Sequence, residues 1–264
     1  MEAADPGLHF VLVHGIGGGA WCWYRIRTLL ERCGHKVSCV DLKSSGIDPS
    51  DPNTIVSFED YNKPLIDLLH NCFSSQDHHQ KVILVGHSAG GLSVTDATLK
   101  FGKKIRLAIY VAATMLRSGF RTPQDASDGV PDLSEFGDVY DLQFALGLDK
   151  NPTSSIIKGE FQRKILYQNS PLEDSMLASM LIKPGPLAAI LSAQFEEIEN
   201  IEQVPRVYIK TTNDRVIKPD QQDSMIKRWT PSDVFVLESD HSPYFSAHVE
   251  LFDMLVKAVA HASL

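Results

Sequence analysis

The sequence predicts an α/β fold with a mainly parallel sheet of six strands, helices on both faces and an inserted cap. Two observations support this prediction. Short apolar runs alternate with segments of helical spacing, which is the pattern of parallel strands joined by crossover helices. The alternation lapses over residues 113–202 and then resumes. One domain is therefore expected over residues 1–264, with its core in residues 8–112 and 203–264.

The first half of the chain contains four predicted strands and three predicted helices. Each strand is a short apolar run, which is typical of strands buried on both faces of a parallel sheet. Each helix carries apolar residues at intervals of three and four. The predicted strands are residues 8–13, 36–40, 82–85 and 105–112, and the predicted helices are residues 20–33, 58–73 and 92–101.

Residues 113–202 contain turn clusters rich in proline, glycine and aspartate, together with short helical patches. The segment is too apolar for disorder, so it is predicted to form a cap over the strand ends and not a linker. After this segment the alternation resumes, with strands at residues 204–210 and 234–237 and helices at residues 219–229 and 249–260.

A nucleophile turn is predicted where the third strand ends in Gly-x-Ser-x-Gly, over residues 86–90, and a helix begins. Ser88 would lie at the tip of this turn, where the strained backbone needs neighbours without side chains. Gly86 and Gly90 meet that need. The motif alone also occurs by chance, but its position between a strand and a helix favours a nucleophilic serine.

A serine hydroxyl needs a base within hydrogen-bond reach and an acid that orients the base. In sheet enzymes of this type the acid and the base follow the serine in that order, each after a later strand. Asp214 follows the fifth strand and His241 follows the sixth. Asp240 is the alternative acid, although it adjoins His241 and can hardly reach the far ring nitrogen. Structural or solvated roles are expected for His9, His14, His35, His87, His248 and His261.

Two backbone N–H groups are expected to stabilise an oxyanion, one from Ala89 and one from Ile16 in the glycine-rich loop of residues 14–19. The alternative is that these glycines only allow the chain to turn. In the predicted mechanism His241 takes the Ser88 proton during attack on an ester carbonyl and then protonates the leaving alcohol, after which water clears the acyl-enzyme. This chemistry requires no metal and no cofactor.

Composition limits the partners of the protein. A hydrophobic fraction of 43% and a charged fraction of 22% are ordinary for a soluble globular chain. The net charge of −8 and the lack of a basic run argue against nucleic acid and favour a neutral ester. No apolar run approaches the roughly 18 residues of a membrane span. Four cysteines without metal-binding spacing and an N-terminus without a targeting pattern indicate the cytoplasm.

Five stretches carry a resemblance to a known family: residues 10–15, 21–24, 41–48, 86–91 and 239–241. Together they resemble the plant methylesterase branch of the α/β-hydrolases, which includes relatives of salicylic-acid-binding esterase, polyneuridine aldehyde esterase and the hydroxynitrile lyases. The resemblance runs to the terminal helix. It implies the α/β-hydrolase fold and the hydrolysis of methyl esters.

Two further stretches, residues 128–135 and 204–211, are similar to a member of the family that hydrolyses methyl indole-3-acetate. The resemblance thus implies methyl esters of small plant hormones as substrates, foremost methyl indole-3-acetate, which would yield free auxin and methanol. Gly15 occupies the position where the hydroxynitrile lyases carry Thr or Asn. Ser242 occupies the position where many of them carry Lys. Both departures favour an esterase over a lyase.

Two other functions stay open at this point. This fold also hosts receptors, so a hormone-binding protein with little turnover is one alternative, and a hydroxynitrile lyase that cleaves cyanohydrins is the other. The expected partners are a small methyl ester and, for a homodimer, a second copy of the chain. The expected substrate contacts are Gly15, Ser88, Phe136, Phe144, Phe161, Met180 and His241. For the four of these that lie in the cap, the alternative is that they pack in the core.

Overall fold

The computed structural model describes residues 7–74, 81–196 and 204–262. In chain order the strands are β1 (His9–Val13), β2 (Lys36–Val40), β3 (Val82–His87), β4 (Ile105–Val111), β5 (Tyr140–Gln143), β6 (Ser154–Ile157), β7 (Arg206–Thr211) and β8 (Asp233–Leu237). Six of them form one sheet in the order β2-β1-β3-β4-β7-β8, and every neighbouring pair in it is parallel. The predicted fold class is confirmed.

Helices connect the strands of the sheet. The α-helices are α1 (Tyr24–Arg32), α2 (Phe58–Phe73), α3 (Gly90–Phe101), α4 (Pro123–Gly129), α5 (Gly159–Ile165), α6 (Leu172–Leu181), α7 (Leu187–Leu191), α8 (Pro219–Arg228), α9 (Pro243–Ser246) and α10 (His248–His261). In the part of the chain that the structure describes, no helix is both long enough and apolar enough to cross a membrane.

A local signal explains where one of two predicted helices begins, and the other helix begins differently from its prediction. The bounds predicted for α2 match the structure, since the Ser57 hydroxyl caps the helix by accepting the Asp60 N–H at 3.2 Å. The helix predicted over residues 20–33 instead begins as a 3₁₀ turn over Ala20–Trp23 and continues as α1. No side-chain cap marks the start of this 3₁₀ turn or of α1, so apolar spacing alone did not locate the change of helix type.

The two faces of the sheet bury alternate residues of the central strands. All residues of β1 and β3 are buried. Val11 and Leu84 belong to the apolar cluster that includes residues of α2 and α3, whereas Phe10 and Ile83 belong to the cluster that includes residues of α1 and α10. Successive side chains of a strand point to opposite faces, so helices on both faces of the sheet make each strand an unbroken apolar run.

The carboxyl ends of the parallel strands lie at one edge of the sheet, where such folds bind ligands. The loop that follows β1 holds residues 14–19, and the turn that follows β3 holds Ser88. Asp214 follows β7 and His241 follows β8. The sheet thereby brings together four segments that are far apart in sequence.

The cap segment, residues 113–196, follows β4 and contains helices α4 to α7 and the antiparallel pair β5–β6. It is tied to the rest of the molecule by the Arg25–Asp174 ion pair (3.0 Å) and by the Thr153 hydroxyl, which donates to the Asn53 side chain (2.6 Å). The four residues of β5 do alternate between apolar and polar side chains, but so short and largely exposed a strand gives too weak a signal for a sequence prediction. The division into core and cap stays a prediction, and its predicted end at residue 202 lies outside the described residues.

Candidate active site

The turn after β3 holds Ser88 in a strained backbone conformation. The φ angle of Ser88 is +53°, in the left-handed region that is costly for a residue with a side chain. Two glycines make the turn possible. A Cβ on Gly86 would lie 2.6 Å from the Gly90 carbonyl oxygen, and a Cβ on Gly90 would lie 2.5 Å from the His14 carbonyl oxygen. The Ser88 carbonyl accepts the Gly91 N–H at 3.0 Å, so the turn leads directly into α3.

His241 and Asp214 form a buried pair beside this turn. Nδ1 of His241 lies 2.9 Å from Oδ2 and 3.1 Å from Oδ1 of the carboxylate. Oδ1 also accepts the N–H groups of Val216 (2.8 Å) and Ile217 (3.0 Å), and Oδ2 accepts the Thr211 hydroxyl (3.0 Å). A carboxylate can only accept hydrogen bonds. The imidazole therefore carries its proton on Nδ1 and leaves Nε2 as the proton acceptor.

Asp240, the alternative acid, contacts other partners. Its Oδ1 accepts the Ser242 N–H (2.9 Å) and the Ser246 hydroxyl (2.7 Å). Its Oδ2 accepts the Asn169 N–H and the Ser170 hydroxyl, both at 2.9 Å. Asp240 is fully buried and ties the loop of His241 to the cap segment. The structure thus brings Asp214, and not Asp240, to the imidazole.

His14 is a fixed neutral imidazole in the glycine loop. Its Nδ1 donates to the Gly15 carbonyl (2.7 Å), and its Nε2 accepts the Leu42 N–H (3.1 Å). Burial lowers the pKa of His14, which keeps the ring uncharged at neutral pH. The ring shapes the backbone just before Ile16.

Two residues that line the cavity of Ser88 have unpaired backbone N–H groups. Ile16 and Ala89 both line the cavity that Ser88 faces. Across the described residues, neither the Ile16 N–H nor the Ala89 N–H donates to a protein acceptor. Unpaired N–H groups at a nucleophile turn are the arrangement that stabilises an oxyanion.

His87 supports the His241 loop. Its Nε2 donates to the His241 carbonyl at 2.7 Å, and the two ring centroids are 4.7 Å apart. Burial, together with the neighbouring His241 ring, holds the pKa of His87 well below its usual range. His87 is therefore neutral and adds no charge beside Ser88.

The thiol of Cys22 also lines the cavity. Burial raises its pKa to about 12, so it stays a thiol at neutral pH and is a poor nucleophile. Nowhere in residues 7–74, 81–196 and 204–262 do three or more His, Cys, Asp or Glu side chains cluster as a metal site.

Ser88 and His241 face a cavity of about 350 Å³ between the strand ends and the cap segment. Its walls are mostly aliphatic and aromatic, with contributions from Trp21 in the core and from Ile156 in the cap segment. Among the described lining residues, Lys183 is the one Lys, Arg, Asp or Glu side chain. Such a cavity suits a small neutral molecule.

Three of the predicted substrate contacts line this cavity, and four do not. The lining residues are Gly15, Ser88 and His241, and the other four are Phe136, Phe144, Phe161 and Met180. Phe136 and Phe161 pack against the apolar core, whereas Phe144 and Met180 are 36% and 72% exposed. The apolar content of the cap did not reveal which side chains point inward. The actual wall includes aliphatic residues next to the predicted acid, Val216 and Ile217, a proximity that the sequence could have indicated.

Comparison with known proteins identifies the family. The α/β hydrolase family matches residues 10–254. The chain is 55% identical over 254 residues to Methylesterase 17 of Arabidopsis thaliana, with 95% of this chain and 91% of that relative covered. The chain belongs to the plant methylesterases of the α/β hydrolase family.

Two other plant relatives are similar over nearly their whole length. Pheophorbidase of Raphanus sativus is 43% identical, with 99% of this chain and 98% of that relative covered. A crystal structure of the Arabidopsis methylesterase MES16 superposes with a TM-score of 0.85 at 42% identity, and 96% of this chain and 99% of that chain are covered. The predicted family and the predicted likeness to one member, Methylesterase 17, are confirmed, and the protein is a carboxylesterase.

Proposed function

We propose that this methylesterase hydrolyses methyl indole-3-acetate to indole-3-acetate and methanol, with Ser88, His241 and Asp214 as its catalytic triad. The observation that supports the triad is the Asp214–His241 pair, with 2.9 Å between Oδ2 and Nδ1, next to a strained serine in one apolar cavity. A receptor for a small ligand has no need of an oriented imidazole beside a strained serine.

The proposed reaction uses the groups in sequence. Nε2 of His241 takes the Ser88 proton while Oγ attacks the ester carbonyl, and the N–H groups of Ile16 and Ala89 stabilise the oxyanion. His241 then protonates the departing methoxide, which leaves as methanol. The same imidazole activates a water molecule that hydrolyses the acyl-enzyme.

The apolar wall of the cavity supports a neutral aromatic acyl group. An indole ring buries a large apolar area, and burial stabilises binding by roughly 25 cal/mol per Å². The resemblance of residues 128–135 and 204–211 to a methyl indole-3-acetate esterase favours this ester over methyl salicylate and methyl jasmonate.

Hydrolysis of these three methyl esters tests the proposal, with acid formed per enzyme as the measured quantity. Methyl indole-3-acetate should give the highest kcat/KM, and Ser88→Ala should lower it by about a thousandfold or more. Ser93→Ala is the matched control, since Ser93 is a buried serine of α3 whose hydroxyl has no partner within the described residues. It should keep the wild-type rate.

Two results would contradict the proposal. Ligand binding without turnover of any ester would favour a receptor, and cyanide release from mandelonitrile at rates above ester hydrolysis would favour a lyase. Cyanohydrin cleavage is disfavoured by Gly15, because a Cβ there would lie 2.7 Å from the Ser88 Cβ. A larger residue at this position would need a different serine geometry.

A cytoplasmic location and a homodimer stay predictions. The four cysteines are free thiols, which supports a reducing compartment. Cell fractionation tests the location, and light scattering during gel filtration tests the dimer. Recovery in a membrane or organelle fraction would contradict the first prediction, and a monomeric mass would contradict the second.

A further inference from the structure

The strap, residues 182–185 of the cap segment, lies directly on the glycine loop that carries Ile16. The Lys183 N–H donates to the Gly17 carbonyl at 3.0 Å. A Cβ on Gly17 would lie 2.5 Å from the Lys183 carbonyl oxygen, and φ of Gly17 is +70°. The two backbones thus meet without a side chain between them.

Gly185 makes the second contact. A Cβ on Gly185 would overlap Cγ1 of Ile16 and would lie 2.9 Å from the Gly17 nitrogen. Its φ lies outside the left-handed region, so backbone strain does not explain why glycine stands here. The side chain of Ile16 needs the space that a Cβ would fill.

The strap is itself anchored within the cap segment. Gly185 and Ser155 exchange two backbone hydrogen bonds, at 2.9 and 3.0 Å, which join the strap to β6. On its other side the glycine loop is held by the Gly46 N–H, which donates to the Gly18 carbonyl at 3.2 Å. The glycine loop is therefore clamped between the cap segment and the loop after β2.

We infer that the strap positions the Ile16 N–H for oxyanion stabilisation, with Lys183 and Gly185 as positioning residues. This inference rests on the proposed function, in which Ile16 is an oxyanion donor. A donor must lie within about 2.7–3.1 Å of the oxyanion, so a small shift of the loop weakens it. The cap segment must then be seated on the glycine loop before the serine can react efficiently.

Gly185→Ala tests the inference with p-nitrophenyl acetate as the probe ester. The added methyl group should displace Ile16, so kcat should fall by about tenfold or more while KM changes little, since removal of one such donor costs about 100- to 1,000-fold. Gly159→Ala is the matched control. Gly159 lies in the same cap segment, has no heavy atom within 4 Å of its Cβ position and should keep the wild-type kcat.

A double-mutant cycle identifies the contact. Ile16→Ala removes Cγ1 but keeps the N–H and the 2.9 Å approach to the Gly17 nitrogen, so in that background Gly185→Ala should lose less kcat than it does in the wild type. A wild-type kcat for folded Gly185→Ala would overturn the inference. Equal rates of wild type and Ser88→Ala would instead overturn the proposed function.

A second pair of variants applies if Gly185→Ala does not fold, as judged by its melting temperature. Lys183→Pro deletes the N–H that bonds to Gly17, and the extended conformation of Ile182 (φ −63°, ψ 139°) suits a following proline. Lys183→Ala keeps that N–H. The inference predicts a lower kcat for Lys183→Pro than for Lys183→Ala, and equal values would overturn it.

Discussion

Replacing Asp214 by asparagine tests the triad sharply, because the structure determines how the new amide must lie. Oδ1 of Asp214 accepts the backbone N–H groups of Val216 (2.8 Å) and Ile217 (3.0 Å). Because these donors belong to the backbone, their direction is fixed. The asparagine oxygen therefore takes the Oδ1 position, and the NH₂ group takes the Oδ2 position. That NH₂ group faces Nδ1 of His241, which is 2.9 Å from Oδ2. The Thr211 hydroxyl can rotate and accept instead of donating.

The expected consequence is the opposite tautomer of His241. With a donor facing it, Nδ1 can only accept, so the ring proton moves to Nε2 and blocks transfer from Ser88. The same exchange in the serine protease triad lowers kcat by about 10⁴-fold, which corresponds to roughly 5 kcal/mol of activation free energy. We expect a loss of that order for Asp214→Asn, with KM nearly unchanged.

The assay is steady-state hydrolysis of p-nitrophenyl acetate, together with the melting temperature of each variant. Asp223→Asn serves as the control, because Asp223 is an exposed partner of Lys210 (2.6 Å) away from the cavity. It should keep the wild-type rate. A loss below tenfold for folded Asp214→Asn, in an enzyme that still needs Ser88, would refute the tautomer argument.

Three further predictions follow from single residues. Asp240→Asn should lower the free energy of unfolding by about 1–3 kcal/mol, since one buried N–H loses its acceptor. Chemical denaturation measures this free energy, and a value equal to that of the wild type would contradict the prediction. Gly15→Ala should lower kcat by about tenfold or more, because its Cβ would lie 2.7 Å from that of Ser88; ester hydrolysis at the wild-type rate would exclude this crowding. Burial and nearby Lys36 lower the pKa of His9 to about 4 from 6.5, so the unfolded chain binds more protons between these values. Stability is then present above pH 6.5 and lost toward pH 4, and His9→Gln should show a smaller fall in melting temperature over that range than the wild type; an equal fall would contradict this.

The sheet and the Asp214–His241 contact could be predicted because their signals lie in short stretches of sequence. An unbroken apolar run such as residues 82–85 is required of any strand buried on both faces. The glycines around Ser88 are required by its backbone angle, as the close approach at Gly86 and Gly90 confirms. The pairing of Asp214 with His241 could be expected from positions after successive strands.

The cavity wall could not be predicted, because it depends on which side of each cap element faces inward. Helix α6 carries apolar residues on more than one side, and Met176 and Met180 are 56% and 72% exposed. Apolar spacing therefore gave no direction for this helix. The role of Gly185 also depends on a contact with Ile16, far away in sequence, which no local pattern records.

The order of the site along the chain bears on protein synthesis. Ile16 and Ser88 follow β1 and β3, whereas Asp214 and His241 follow β7 and β8, the last two strands. A ribosome therefore makes the serine long before it makes the histidine. Because β8 pairs only with β7 among the described strands, His241 reaches the cavity of Ser88 after β8 has added to the edge of the sheet. Under the proposed mechanism the nascent chain would carry an inert hydroxyl, and ester hydrolysis would begin only after β8 has been translated and has docked on the sheet.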